Sequence, residues 1–200
     1  MKHLDSREFF ASDEEFANFR PLIINNAKSD FFFRSASAVN NKYGRAETVK
    51  KIMEQKKIRT ILDFSSINYR CKSYEFGFTL VQQVKKILDC PGPYIIQCDA
   101  GKKRTGFVCI VLESLSGTSY ENIVADYMES YRNNNGFNCD KNPRLAENIR
   151  LQKIDSNIHY IANSDSDSNK IDLKEAAKKY LLKNGLSQVE LMILQDALLK

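Results

Sequence analysis

The chain is poor in the features that mark membrane-spanning, secreted or metal-scaffolded proteins. No apolar run is long enough to cross a bilayer, so no integral membrane segment is expected. The opening residues, Met-Lys-His-Leu-Asp-Ser-Arg-Glu-Phe-Phe, lack the apolar centre of a secretory signal. Only two histidines occur, His3 and His159, and neither has a metal-ligand or triad pattern around it. The five cysteines, Cys71, Cys90, Cys98, Cys109 and Cys139, are odd in number and show no Cys-x-x-Cys spacing, which argues against a zinc or dithiol redox site. Free thiols in a reducing, cytoplasmic setting are expected, though export without a cleaved signal leaves no trace in such a sequence. There are no internal repeats. The formal charge of +5 is mild, well short of a nucleic-acid-binding tail, and suits an anionic substrate.

What is present is the composition of a globular domain. Two hundred residues, 42% of them hydrophobic and 28% charged, suffice for one domain with a substantial core. Four stretches are expected within it: an N-terminal arm (1–20), an α/β core (21–162), a polar linker (163–169) and a C-terminal helical pair (170–200) packed on the same domain. Phe16 and Phe19 suggest a short helix in the arm. Phe31-Phe32-Phe33 reads as a brief buried strand, and Thr60 to Phe64 as another. Residues 45–57 carry Val49, Ile52 and Met53 at helical spacing, and residues 75–89 carry Phe78, Val81, Val84, Ile87 and Leu88. Pro91-Gly92-Pro93 breaks the second helix, Tyr94 to Gln97 reads as a central strand, and residues 104–116 as an apolar helix. Thr118-x-x-Glu121 has the form of a capping box opening a helix from Asn122 to Tyr131, with Asn133 to Gly136 ending it. Leu173 to Lys183 is expected to be helical with Gly185 as its cap, and Ser187-x-x-Glu190 is a second capping box. Helix alternating with strand predicts an α/β fold with a central, mainly parallel sheet flanked by helices and a helical C-terminal extension.

The chemistry is concentrated in Cys98-Asp99-Ala100-Gly101-Lys102-Lys103-Arg104-Thr105-Gly106, between the central strand and the apolar helix. A short loop there can turn backbone N–H groups inward as an anion-binding nest, and the helix N-terminus adds donors and a positive dipole end. Gly101 allows a conformation closed to residues with a Cβ. Arg104 can grip two phosphate oxygens with its planar fork. The same field favours a thiolate at Cys98, aimed at phosphorus. In-line attack would form a phosphocysteine that water hydrolyses, with Thr105 bonding the departing sulfur.

This segment resembles the His-Cys-x5-Arg-[Ser/Thr] loop of the protein tyrosine phosphatases, and Ala-Gly-Lys-x-Arg-Thr-Gly is similar to bacterial tyrosine phosphatases that also accept phosphoinositides. Phe33-Arg34-Ser35-Ala36-Ser37 resembles that family's Tyr-Arg-Ser-Ala-Ser segment, Ile61 to Phe64 its Ile-Leu-Asp-Leu strand, and Ile123 to Met128 the helix after the active loop. The Tyr180 to Leu198 helical pair resembles its C-terminal end, and the likeness runs from about Asn18 onward. The resemblance implies a metal-free, cofactor-free phosphatase acting through a cysteinyl phosphate. It departs from the family in three places: Gln97 stands where histidine is usual, Ser65 to Tyr74 is shorter than the family's lid insertion, and Lys103 replaces an aspartate.

The proton donor is therefore open. Asp63, ending a strand beside the loop, is the first candidate and Asp99 the second, although an aspartate at a strand end also often caps a turn. Asp99, Ala100, Gly101, Lys102, Lys103 and Gly106 are expected to bind substrate. Arg34 either orients the loop, binds substrate, or pairs with a surface acid; Asp126 is expected to be structural, and Tyr127 and Tyr131 to lie in the core. Cys71 or Cys109 is a candidate for a protective disulfide with Cys98. Phosphotyrosine in proteins is the leading substrate, with inositol lipids second, on the strength of the Lys102–Lys103 pair. A phosphate-binding module with little turnover is the alternative outside enzymes. A sulfurtransferase shares the cysteine loop but not the Gly-Lys-x-Arg-Thr-Gly run.

Overall fold

Alternation of apolar strands with amphipathic helices is realised in the computed structural model, which describes residues 5–200; His3 and the first residues of the opening segment lie outside the described residues. In chain order the elements are α1 (Asp13–Ala17), β1 (Arg20–Ile24), β2 (Ala27–Ala36), α2 (Ala46–Gln55), β3 (Thr60–Asp63), α3 (Tyr74–Asp89) and β4 (Tyr94–Cys98). There follow α4 (Lys103–Ser116), α5 (Tyr120–Asn135), α6 (Pro143–Ile149), α7 (Ser156–Ala162), α8 (Leu173–Lys183) and α9 (Gln188–Leu198). A wide π-type turn over Arg150–Asp155 joins α6 to α7.

The four strands form one sheet in the order β1-β2-β4-β3. β2, β4 and β3 are parallel, and β1 adds an antiparallel edge. All five residues of β4 are buried, as an interior strand covered on both faces requires. Its side chains alternate between two cores. Ile95 joins Phe33, Val49 and Ile52 on the α2 side, whereas Ile96 and Cys98 join the larger core built on α3 and α4. The two-residue period thus sets Cys98 on the α4 side, at the strand's C-terminal end. The edge strand β1 was not anticipated from sequence. Its signal was Asn25-Asn26, which sit at φ 48° and 65° and close the β1–β2 hairpin. Asparagine is among the few residues that tolerate two such positions in succession.

Several boundaries differ from the sequence expectation. β2 begins at Ala27, and Phe31 is exposed at its outer part, while Phe32 and Phe33 are buried. On α3 the buried stripe is Phe76, Leu80, Val81, Val84 and Ile87, and Phe78 faces solvent because it lies two residues from Phe76 and Leu80. α5 is capped by Ser119, whose hydroxyl accepts from Asn122 N, and it runs through Asn135 to Gly136 in the left-handed region. Thr118, read as the cap, instead donates to the Ile23 carbonyl at 2.8 Å and ties the start of α5 to β1. α6, the π-type turn and α7 were not anticipated, because their apolar residues follow no long helical period. Within the 163–169 stretch Asn163 caps α7, and Ser168 opens a short 3-10 turn. The C-terminal pair matches expectation closely. α8 spans Leu173–Lys183, with Asn184 as its cap residue and Gly185 following at φ 104°. The Ser187–Glu190 box is formed, with bonds of 3.2 and 2.8 Å. α8 packs on α4 and α7, and α9 on α3 and α4.

α4 carries the loop's C-terminal end into the core. Every residue from Thr105 to Ser116 is buried, since the sheet lies on one side of the helix and α5, α7, α8 and α9 surround the rest. The loop from Cys98 to Arg104 is thereby anchored at both ends in rigid, buried elements.

Candidate active site

The loop turns at Gly101, whose φ is +61° and whose N–H donates to the Cys98 carbonyl at 2.9 Å. A Cβ at this position would lie 2.2 Å from the Ser35 carbonyl oxygen and 2.6 Å from Ala36 N. Glycine is required here twice over, by its backbone angle and by the closeness of β2. α4 then begins at Lys103 with no side chain capping its N-terminus, so its first amides remain free to meet an anion.

The loop is held from behind by a buried polar network. Asn18, itself fully buried and left-handed at φ 49°, donates from Nδ2 to the carbonyls of Ala100 (3.2 Å) and Gly101 (2.8 Å). Arg34 Nη2 donates to the same Gly101 carbonyl at 3.0 Å and to Ser130 Oγ at 3.1 Å. In a trans peptide the N–H points opposite the C=O, so pulling the Gly101 carbonyl backward turns the Lys102 N–H toward the other side. Asp126 on α5 pairs with both Arg34 and Arg20. Burial pushes the Asp126 carboxyl up, but the two guanidinium charges outweigh it and hold the group below its usual range. Burial also drives the neighbouring Glu113 well above the usual carboxylate range, and its Oε1 accepts from Ile23 N. Of the alternatives open for Arg34, the geometry supports loop orientation. Its acid partner is buried Asp126, not a surface carboxylate. Asn18 and Arg20 were missed by sequence reasoning, because nothing local links them to a loop some eighty residues away.

Arg104 extends from the first turn of α4. Its Nη1 donates to the carbonyls of Phe64 (2.6 Å), Ser65 (2.7 Å) and Ile67 (2.9 Å), and its Nη2 pairs with Asp99 at 2.6 Å. One edge of the guanidinium is thus fixed to the segment after β3, and the other is held by a carboxylate. Asp99 also accepts from Asn40 Nδ2 at 2.8 Å. Asp63 is beside Gln97 in register, but its Oδ1 accepts from both the N–H (3.0 Å) and the hydroxyl (2.7 Å) of Ser65. It shapes the turn whose carbonyls grip Arg104. Thr105 is fully buried and its hydroxyl reaches no partner, so the expected bond to the Cys98 sulfur is not formed here. Gln97 Oε1 accepts from Ala38 N at 3.0 Å, pinning the chain as it leaves β2.

The two loop lysines diverge. Lys103 is exposed beside the cleft. Lys102 is buried, although it too lines the cleft above the loop. It donates to Asn135 Oδ1 at 2.8 Å, and its ammonium lies 4.6 Å from the Tyr131 ring centroid. Burial, followed by the charges of Lys103 and Arg45, lowers its pKa to about 8. The Gly106 N–H bonds the Lys102 carbonyl within α4 and is not available to a ligand. A cleft of about 190 Å³ opens above the loop, and Cys98, Asp99, Ala100, Lys102, Lys103 and Arg104 line it. Lys42 and Tyr43, which sequence reasoning did not single out, form its other wall. Their segment is anchored by Ser37 Oγ, which accepts from Asn40 N at 2.8 Å, and by buried Arg45, which donates to Asn134 at 2.8 Å. Cys98 itself is buried, and all five cysteines are free thiols. No helix of the described residues is long and apolar enough to cross a membrane.

Residues 69–200, well over half of the chain and including the whole Cys98 loop, match the profile of the tyrosine phosphatase family. A stretch of 52 residues is 38% identical to a Cupriavidus necator protein provisionally named a tyrosine-protein phosphatase. That stretch covers 26% of this chain and 19% of the relative.

Proposed function

The chain belongs to the tyrosine phosphatase family, and from that membership and the geometry of the Cys98 loop we propose that it hydrolyses phosphotyrosine through a cysteinyl phosphate. The observation that carries this reading is the common cleft of Cys98 and Arg104, on a loop whose left-handed turn at Gly101 is braced from behind by Asn18 and Arg34. Phosphate oxygens bind the free amides at the start of α4 and the guanidinium of Arg104. The Cys98 sulfur attacks phosphorus, the phosphorus–oxygen bond to the tyrosine breaks, and the leaving oxygen takes a proton. Water then attacks phosphorus, the phosphorus–sulfur bond breaks, and phosphate and the thiolate are restored.

Asp99 replaces Asp63 as first candidate for the proton donor, because Asp99 lines the cleft while Asp63 is committed to Ser65. The phosphate dianion and the Asp99 carboxylate compete for Arg104 Nη2. Substrate displaces the carboxylate from the guanidinium and leaves it facing the cleft. Phosphoinositides are the second substrate class: exposed Lys42 and Lys103 flank the cleft, and buried Lys102, whose ammonium bonds Asn135, adds a third cation to its lining. The five free thiols suit the reducing cytoplasm.

The test is hydrolysis of p-nitrophenyl phosphate from pH 4 to 8, with Cys98→Ser as control, under reducing conditions. Turnover by the native protein that disappears in Cys98→Ser is expected. A folded native protein without turnover overturns the reading and leaves a phosphate-binding module. Asp99→Asn should spare this good leaving group yet slow a phosphotyrosine peptide by about 10²-fold or more. Comparing that peptide with short-chain inositol phosphates separates the two substrate classes.

A further inference from the structure

At the end of β4 opposite Cys98 the surface opens into a second and larger hollow, of about 750 Å³. Its floor is apolar, formed by Leu88 at the end of α3, by Pro91 and Pro93 of the turn before β4, and by Tyr94. Phe31 and Ile193, 37% and 48% exposed, stand as its walls. The wall continues along α9, which is apolar on two faces. Leu191, Leu194 and Leu198 are buried in the core, while Val189 and Met192 project into solvent. Val189, Met192 and Ile193 thus add exposed apolar surface beside the hollow, and such surface next to an apolar hollow marks a binding site.

The rim is strongly of one sign. Lys56, Lys57, Arg59 and Lys200 line it against a single acid, Asp196. All four cations are exposed, and among the described residues none forms a salt bridge. By contrast Lys50, Lys51 and Lys85 each have a carboxylate partner. An apolar floor inside a ring of unpaired cations is complementary to an anionic, apolar occupant.

We infer that this hollow docks an acidic segment of a partner protein that inserts apolar side chains between Phe31 and Ile193. A bilayer surface is flat and would leave the concave floor unfilled. A second copy of the chain in a two-fold arrangement would bring the same cations face to face, which is repulsive. The docked segment lies at the far end of the five-residue β4, roughly 13 Å along the strand from Cys98, so the phosphate loop stays open while the hollow is filled.

Fluorescence anisotropy of a labelled peptide alternating Glu or Asp with Leu or Phe tests this without reference to turnover. Its control carries lysine at every acidic position. The acidic peptide is expected to bind and the lysine peptide not, with affinity falling as salt is raised. The double change Lys56→Glu with Arg59→Glu should weaken binding about tenfold or more. Ile193→Asp should weaken it as well. These positions are exposed, and far-UV circular dichroism verifies that the variants fold. Equal binding of both peptides, or binding unmoved by the variants, overturns the inference. So does recruitment to phosphatidylserine vesicles without peptide binding, which assigns the surface to a bilayer. A concentration-dependent dimer in sedimentation velocity that Ile193→Asp abolishes assigns it to a second copy.

Discussion

Adding one methyl group at Gly101 tests the account of the phosphate loop. The new Cβ would lie 2.2 Å from Ser35 O, 2.4 Å from Ser35 C and 2.6 Å from Ala36 N. All three atoms are backbone of β2, a strand paired on one side with β1 and on the other with β4 at Ser35–Gln97 and Ala36–Cys98. No flexible side chain can give way. Since carbon contacts settle at about 3.5 Å or more, the loop must withdraw by about 1 Å. A displacement of that size costs about 10²-fold in rate when it moves reacting groups. The φ of +61° adds about 1–2 kcal/mol of strain for alanine, and overpacking about 1–3 kcal/mol. The expectation for Gly101→Ala is therefore a loss of about 2–5 kcal/mol in urea unfolding and about 10²-fold in kcat/KM for p-nitrophenyl phosphate. Gly185→Ala is the matched control. Its φ is +104° and nothing lies within 4 Å of the added Cβ, so it should lose about 1–2 kcal/mol and no activity. The reasoning is refuted if Gly101→Ala keeps kcat/KM within fivefold of the native value, or unfolds as readily as Gly185→Ala and no more.

Two further expectations concern buried charge. Asp126→Asn leaves Arg20 and Arg34 buried without their counter-ion and should cost about 3–5 kcal/mol by denaturant unfolding. Because the native carboxyl titrates below its usual range, its contribution is present above the ordinary carboxylate pKa and fades as pH falls through the lower native value; a native-minus-variant difference that stays constant down to acid pH would contradict this. Lys102 follows the same rule in a more alkaline window. With its native pKa lowered to about 8 from an ordinary 10.5, the unfolded chain binds the extra proton between those values. The native protein should therefore gain stability relative to Lys102→Met as pH rises from 8 toward 10, and urea midpoints at the two ends check it.

What could be read in advance was what nearby residues decide among themselves. Cys98 and Arg104 lie at the two ends of one short turn between a strand and the helix that follows it, so their association followed from chain order. The limits of α8 and α9 were legible because Gly185, Ser187 and Glu190 act within a turn of the helix ends they define. Phe78 was assigned to the wrong face because several residues of α3 fit an apolar stripe, and only the packed neighbours choose among them.

The sequence by itself determined the placement of Cys98, Gly101 and Arg104 in one strand-to-helix turn and the alternation of strand and helix, since each rests on backbone preferences and contacts over a few residues. Tertiary structure alone decided which groups serve that loop. Asn18 and Arg34 reach the Gly101 carbonyl from the end of α1 and from β2, Asp63 is spent on Ser65, Lys102 turns to Tyr131, and Asp99 closes on Arg104. Side chains with several possible partners take the one that packing brings within hydrogen-bond distance, and in this protein that choice is made by elements far apart in the chain.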